Sequence, residues 1–287
     1  LAAAPELGVE AARASCAHDV ARRRRGEGQP RLGARRELLQ GGGAGAAAAG
    51  GVTAAGIANQ GESCLAWDAD DGTPVGPVIV WQDSRTAGDI ARLKADGAEA
   101  MTLARAGLPL DPYFSASKLG WIVRNNAHAQ ELAASGRLRL GTTDAFFRDR
   151  LTGRFETDVA TASRTSLLNL DTCQWDDELC ALFGVPIDLL PKITPTSGAL
   201  GTVVSGSVGT SLTASIVDQQ AALYGHRCRQ PGDVKITFGT GAFALTVASA
   251  ERPSSRVRRM VAPAFFTSPA SMVAGRACIP SGLGSVT

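Results

Sequence analysis

At 287 residues, with 44% hydrophobic and 20% charged side chains, the chain has room for two domains and the composition of a globular protein. Its formal net charge of +2 gives no electrostatic case for nucleic acid or an anionic membrane surface as a partner. No apolar run approaches the ~18 residues of a membrane-crossing helix, and no basic-then-apolar leader opens the chain. The six cysteines (16, 64, 173, 180, 228 and 278) show neither CxxC pairs nor metal-ligand spacing. Reduced thiols in a cytoplasmic protein, with no zinc site, are therefore expected.

The two ends differ from the middle. Residues 1–51 carry Arg22-Arg23-Arg24-Arg25, the run Gly41-Gly42-Gly43 and alanine-rich tracts, with little sustained periodicity. The arginine run is isolated from aromatic residues, so it reads as a solvated or disordered segment rather than a nucleic-acid patch. From about Ser254 an arginine-serine-alanine-proline mixture returns. Both ends are expected to be frame-shifted or truncated around a core of roughly 52 to 250.

Within the core, Val52–Asn59 reads as a buried strand ending in a polar loop, Gln60-Gly61-Glu62. Ser63–Asp68 is a second strand, Asp71-Gly72-Thr73-Pro74 a turn, and Val78–Trp81 a returning third strand. Asp89–Ala104 has a helical apolar face, with Gly97 arguing against one unbroken helix. The stretch Gly107–Pro112 breaks the pattern, and Ser115 is expected to cap a helix over the Leu119, Ile122 and Val123 face. That places Tyr113 just ahead of a helix start. Leu138–Thr143 is a short strand leading into a helix from Asp144 to Leu151-Thr152-Gly153. Asp176-Asp177-Glu178 opens another helix, where acidic side chains complement the helix dipole better than they make a metal site. Ser211–Ile216 is a strand reaching Asp218, a helix starts at Gln220, and Val234–Thr237 and Ala242–Val247 flank Phe238-Gly239-Thr240-Gly241. Alternating strands and helices predict an α/β protein with a mixed sheet covered by helices.

The stretch Thr213–Thr246 carries the chemistry. A carboxylate that can accept a proton, Asp218, lies a short way ahead of a Gly-Thr-Gly turn whose backbone N–H groups can approach phosphate, since glycine has no Cβ. Phosphoryl transfer to an alcohol asks for little more than positioning, charge neutralisation and a base near the nucleophile.

Several ordered segments, Val80-Trp81-Gln82-Asp83-Ser84-Arg85, Leu110-Asp111-Pro112-Tyr113-Phe114-Ser115, Ala162-Ser163-Arg164-Thr165, Asp218-Gln219-Gln220-Ala221-Ala222-Leu223 and Gly239-Thr240-Gly241, together resemble the FGGY carbohydrate kinases, and within that family the glycerol kinases. The resemblance covers roughly residues 52 to 250. It implies an actin-like (ribonuclease H-like) ATPase domain fold of two α/β domains, the second truncated here: residues 52–229 as substrate-binding domain and 230–287 as the start of the ATP-binding domain. It implies ATP and Mg2+ as cofactors, a small-molecule polyol as substrate, and a homo-oligomer. By motif, Asp218 is the general base; Glu62, Tyr113 and Gln219 bind the polyol hydroxyls; Trp81 and Phe243 flank its carbon skeleton; Gly239, Thr240 and Gly241 lie near the nucleotide phosphates.

Three departures qualify what is implied. Gly61 stands where glycerol kinases usually have an arginine, a charged donor worth about 1.5–3 kcal/mol; the vacated space is expected to admit another polyol or sugar. The family's Asp-x-Gly-Thr loop is absent from residues 1–51, and the later glycine motifs that seat adenosine are absent too. The implied activity is ATP-dependent phosphorylation of a polyol, glycerol first. The alternatives are a kinase for another sugar and an inactive remnant that binds a polyol or a partner.

Overall fold

The computed structural model describes residues 52–205, 208–238 and 242–247. The expectations for residues 1–51, for the stretch from about Ser254 onward and for Gly239, Thr240 and Gly241 lie outside the described residues. The chain divides into two units, Leu1–Ala55 with Thr202–Ser211, and Gly56–Gly201 with Leu212–Thr287. Of the described residues, the first unit holds only the ends of three strands, and the second carries the core and the candidate site.

Strands β1 (Ala54–Asn59), β8 (Ser197–Ser205) and β9 (Val208–Val217) form a three-stranded sheet in the order β1-β9-β8. Strand β2 (Cys64–Asp68) pairs antiparallel with β3 (Leu138–Thr142), Cys64 opposite Thr142 and Asp68 opposite Leu138. Every residue of β2 is buried. With both faces covered, it reads as a continuous run rather than an apolar-polar alternation. The Trp67 indole N–H donates to Asp149 Oδ2 at 2.8 Å, while Phe146 and Phe155 meet its ring edge-on at 5.3 and 5.5 Å.

The Asp71–Pro74 turn forms as expected, with Gly72 at φ 73° and the Thr73 N–H donating to Asp71 Oδ1 at 2.7 Å. The third strand over Val78–Trp81 does not. The chain runs back alongside β2 through Val75 N–H to Ala66 O (3.0 Å) and a reciprocal pair between Ile79 and Cys64 (2.9 and 3.0 Å), leaving isolated bridges at Pro74 and Ile79. The cause is Pro74 and Pro77, which have no N–H to give to a ladder.

The helical stretch after Arg85 splits into α1 (Ala87–Ala95) and α2 (Glu99–Arg105), broken at Gly97, whose φ of 78° is outside the helical region. Helix α3 (Ser115–Asn125) begins where expected, but Phe114 occupies the N-cap position and Ser115 caps nothing. The Ser115 hydroxyl instead donates to the Glu62 backbone oxygen at 3.2 Å. Helix α4 (Ala127–Ala134) was not expected; the Asn126 side chain caps it by accepting from the Ala129 N–H at 2.9 Å. Helix α5 (Thr143–Thr152) ends at Gly153 in the left-handed region.

Strand β4 (Glu156–Asp158) pairs in parallel with β7 (Lys192–Thr194) and feeds the short helix α6 (Val159–Ala162), capped by Asp158. Strands β5 (Leu168–Asn169) and β6 (Gln174–Trp175) make a small antiparallel pair. Helix α7 (Asp177–Phe183) is capped by Asp176, which accepts from the N–H groups of Glu178 and Leu179; Arg105 pairs with both Asp176 and Glu178. This is the dipole-complementing role expected of the acidic run. Helix α8 (Asp218–Gly225) follows β9 directly, and β10 (Val234–Phe238) pairs antiparallel with β11 (Ala242–Thr246). Among the described residues the strands thus make one three-stranded and four two-stranded sheets of mixed direction. The largest apolar cluster joins β2 and β3 to α3, α4 and α7 through Cys64, Leu119, Leu140 and Phe183.

Candidate functional site

The loop after β1 turns back on itself, the Ser63 N–H donating to Gln60 O at 3.3 Å, and this presents Glu62 sideways from a buried position. Its carboxylate meets Arg164, whose Nε donates to Oε1 at 2.7 Å with both side chains 8% exposed. Arg164 is delivered by the turn after α6, where its N–H donates to Thr161 O at 2.9 Å. Ser166, two residues on, is held at φ 67° in a buried setting. The guanidinium also lies 5.3 Å over the Phe114 ring. A buried arginine-glutamate pair of this kind persists only with both partners in place.

Tyr113 precedes α3 and faces the same pair. Burial first, then the Glu62 charge, push its phenol far above the ordinary range, with Arg164 opposing. The hydroxyl therefore stays protonated, a donor facing the Glu62 carboxylate. Trp81 meets Tyr113 at 5.6 Å and Phe243 at 6.2 Å between ring centroids, both edge-on. Lys118, fully buried in α3, joins the two aromatic loops: its Nζ donates to Tyr113 O at 2.8 Å and to Val80 O at 3.3 Å. Burial lowers its pKa, while nearby Cys64 and Glu62 pull it back up.

On the opposite wall α8 begins. Asp218 is exposed at its first position, Oδ1 accepting from the Gln219 N–H at 2.7 Å. Desolvation of the carboxyl raises its pKa; the Gln219 N–H lowers it, Glu62 raises it, and Lys235 and Arg164 lower it. Gln219 Oε1 accepts from Lys235 Nζ at 3.1 Å and from Thr237 Oγ1 at 3.3 Å, both on β10, which leaves its NH2 group as the donor end.

Glu62, Tyr113, Arg164, Val217, Gln219, Gln220, Phe243 and Leu245 line one narrow cleft, with about 20 Å³ of room in this structure. Of the expected substrate residues, Glu62, Tyr113, Gln219 and Phe243 are lining residues; Trp81 backs Tyr113 and Phe243; Asp218 precedes Gln219. The expected phosphate-side residues Gly239, Thr240 and Gly241 lie outside the described residues. Among the described residues, no group of three or more His, Cys, Asp or Glu side chains is placed to hold a metal ion. Arg164, Lys118 and Gln220 had no role assigned from sequence. Arg164 stood within the noticed Ala162–Thr165 segment, but nothing local announces its partner 102 positions away.

The first carbon of any side chain at Gly61 would be crowded: a Cβ built there would lie 2.8 Å from Val217 Cγ2 and 3.2 Å from Arg164 Cγ.

Residues 47–225 match the N-terminal domain of the FGGY family of carbohydrate kinases. A glycerol kinase of Ectopseudomonas mendocina is 46% identical over 211 residues, 72% of this chain and 43% of that protein. A glycerol kinase of Rhodospirillum centenum is 43% identical over 218 residues, 75% and 44% respectively. The chain thus spans less than half the length of these relatives. Among solved structures, Plasmodium falciparum glycerol kinase with ADP superposes with a TM-score of 0.64 at 31% identity, over 67% of this chain and 39% of that one. A xylulose kinase from Rhodospirillum rubrum, at 24% identity and a TM-score of 0.58, shares the fold. The actin-like α/β fold expected from the motifs is the fold of this chain.

Proposed function

Since the chain belongs to the FGGY family of carbohydrate kinases, we propose that its cleft binds a small polyol, glycerol first, and belongs to an enzyme that moves the terminal phosphoryl group of ATP onto one of the polyol hydroxyls. The observation that carries this reading is the meeting of Glu62, Tyr113, Gln219 and Phe243 in one cleft next to Asp218. Residues 52–229 act as the substrate-binding domain and residues from 230 onward begin the nucleotide-binding one.

Each side chain contributes chemistry of its own. Glu62, held at a fixed angle by Arg164, accepts a hydrogen bond from a polyol hydroxyl; Tyr113 and the Gln219 NH2 group donate to others. Tyr113 and Phe243, backed by Trp81, present apolar ring surface to the C–H groups, and this selects a short carbon chain carrying hydroxyls on one side. Asp218 takes the proton of the attacking hydroxyl as the oxygen bonds to phosphorus, and a raised carboxyl pKa makes it a better acceptor at neutral pH. ATP supplies the phosphoryl group. Gly239, Thr240 and Gly241 belong on the nucleotide side. The described residues offer no ligand cluster for Mg2+, and no step is assigned to the ion.

An ADP-release assay with glycerol, erythritol and pentitols tests this. The reading predicts polyol-dependent ADP release that Asp218→Asn lowers by at least about a thousandfold while polyol binding persists, the scale of losing the base. Polyol binding without ADP release in the wild-type chain would identify a binding protein instead. Release that survives Asp218→Asn contradicts the assignment of the base.

A further inference from the structure

We infer that Lys235 and Thr237 of β10 are positioning residues for polyol binding that act through Gln219: together they hold its side-chain amide in one orientation, so that it meets a polyol hydroxyl with its NH2 group. The inference rests on the polyol reading above and adds the two residues that give Gln219 its direction. Gln219 lines the cleft from the first turn of α8. Its Oε1 accepts from Lys235 Nζ at 3.1 Å and from Thr237 Oγ1 at 3.3 Å. An amide oxygen has two lone pairs, and these two donors match them. A lysine ammonium carries donors and no acceptor, so turning the amide over would set NH2 against NH3+. The Gln219 oxygen is thereby committed to β10, and the amide meets a ligand with N–H groups.

The strand is built around this contact. A strand with one covered face ordinarily turns apolar side chains inward and polar ones outward. Strand β10 does the reverse: Lys235 is 9% exposed, while Val234, Ile236 and Phe238 on the other face are 56%, 56% and 80% exposed. Burying a lysine head group is costly unless an acceptor receives it, and Gln219 Oε1 receives it here. Positions 235 and 237 share one face of the strand, and both side chains converge on that single oxygen. Packing alone would be served by apolar residues at both positions; two donors there serve the orientation of Gln219. A hydroxyl that accepts from the Gln219 NH2 sends its own proton elsewhere, and the Glu62 carboxylate lines the same cleft as an acceptor.

The test is a double-variant cycle read by calorimetric titration of glycerol into the full chain: wild type, Lys235→Met, Gln219→Ala and the two combined. Lys235→Met is expected to bind glycerol roughly three- to tenfold more weakly, the scale of one neutral hydrogen bond. Lys235→Arg, which restores a donor to the same oxygen, is expected to recover most of that loss. In the Gln219→Ala background Lys235→Met is expected to cost nothing further, since no amide is left to orient. Thr237→Val repeats the cycle if Lys235→Met does not fold. A loss from Lys235→Met that persists in full without Gln219, or no loss at all, overturns the inference and leaves the polyol reading in place. Absence of glycerol binding by wild type overturns the polyol reading, and the inference with it.

Discussion

At the residue scale, the pair Glu62–Arg164 organises the site. With both side chains 8% exposed, removing one partner strands a buried charge, and Arg164→Met is expected to destabilise the chain by about 3–5 kcal/mol. The double variant Glu62→Gln with Arg164→Met should recover a large part of that loss, measured by urea unfolding. Full additivity of the two single losses would show that the pair is not coupled. Gly61 makes a sharper case. A side chain there collides with Val217, so Gly61→Arg is expected to cost about 1–3 kcal/mol by overpacking rather than to improve polyol affinity. A gain in glycerol affinity without loss of stability would mean that Val217 and Arg164 move aside freely. On the proposed role, Asp218 would set the pH dependence of turnover: with its pKa raised by desolvation, the base is lost as pH falls through a value above the ~4 of an ordinary aspartate. An acid limb at or below that ordinary value would contradict the shift.

At the element scale, the sequence was legible where the signal is local. The split at Gly97, the Gly153 stop and the helix opened by the Asp176-Asp177-Glu178 run depend on single residues acting on their own neighbours, and each stands where reading placed it. The errors come from signals decided at a distance. Val78–Trp81 has strand-forming residues, yet Pro74 and Pro77 deny it a ladder. Ser115 has a capping hydroxyl, but the Glu62 carbonyl across the cleft claims it. Of the candidate site, Glu62, Tyr113, Gln219 and Phe243 were named from motifs and line one cleft; Arg164, Lys118 and Gln220 become visible only when the chain brings them together. Strand β10 shows an inverted alternation: Lys235 and Thr237 turn toward Gln219, while Val234, Ile236 and Phe238 are 56%, 56% and 80% exposed. An exposed apolar strand face is an association liability. Ile236→Thr is therefore expected to raise the soluble fraction of the chain at high concentration, read by light scattering, with no change in glycerol affinity. Unchanged scattering would show that this face is not what drives association.

At the scale of the whole molecule, a buried carboxylate pair ties folding to pH. Asp144 and Asp158 are both fully buried, and the Thr157 hydroxyl and the Asp158 N–H both donate to Asp144 Oδ2. Burial raises the pKa of each, and the Asp144 charge helps push Asp158 up to about 6. The sign follows from linkage. A raised folded-state pKa stabilises fully below the unfolded value, 3.8, and that stabilisation is lost as pH rises through about 6. Asp68, Asp83 and Asp176 have lowered values and act in the opposite direction, so the difference between wild type and Asp158→Asn isolates the term. Relative to the variant, wild type should lose on the order of 1–3 kcal/mol between pH 4 and pH 7. A difference that does not vary with pH would mean Asp158 is ionised throughout.

The central claim, that one cleft on this chain holds a polyol between Glu62, Tyr113 and Gln219 beside Asp218, is tested most directly by calorimetric titration of glycerol into the wild-type chain and into Tyr113→Phe. The account predicts saturable one-to-one binding by wild type and a roughly three- to tenfold loss when the phenol hydroxyl alone is removed. No saturable binding by wild type, or equal binding by both, would contradict it.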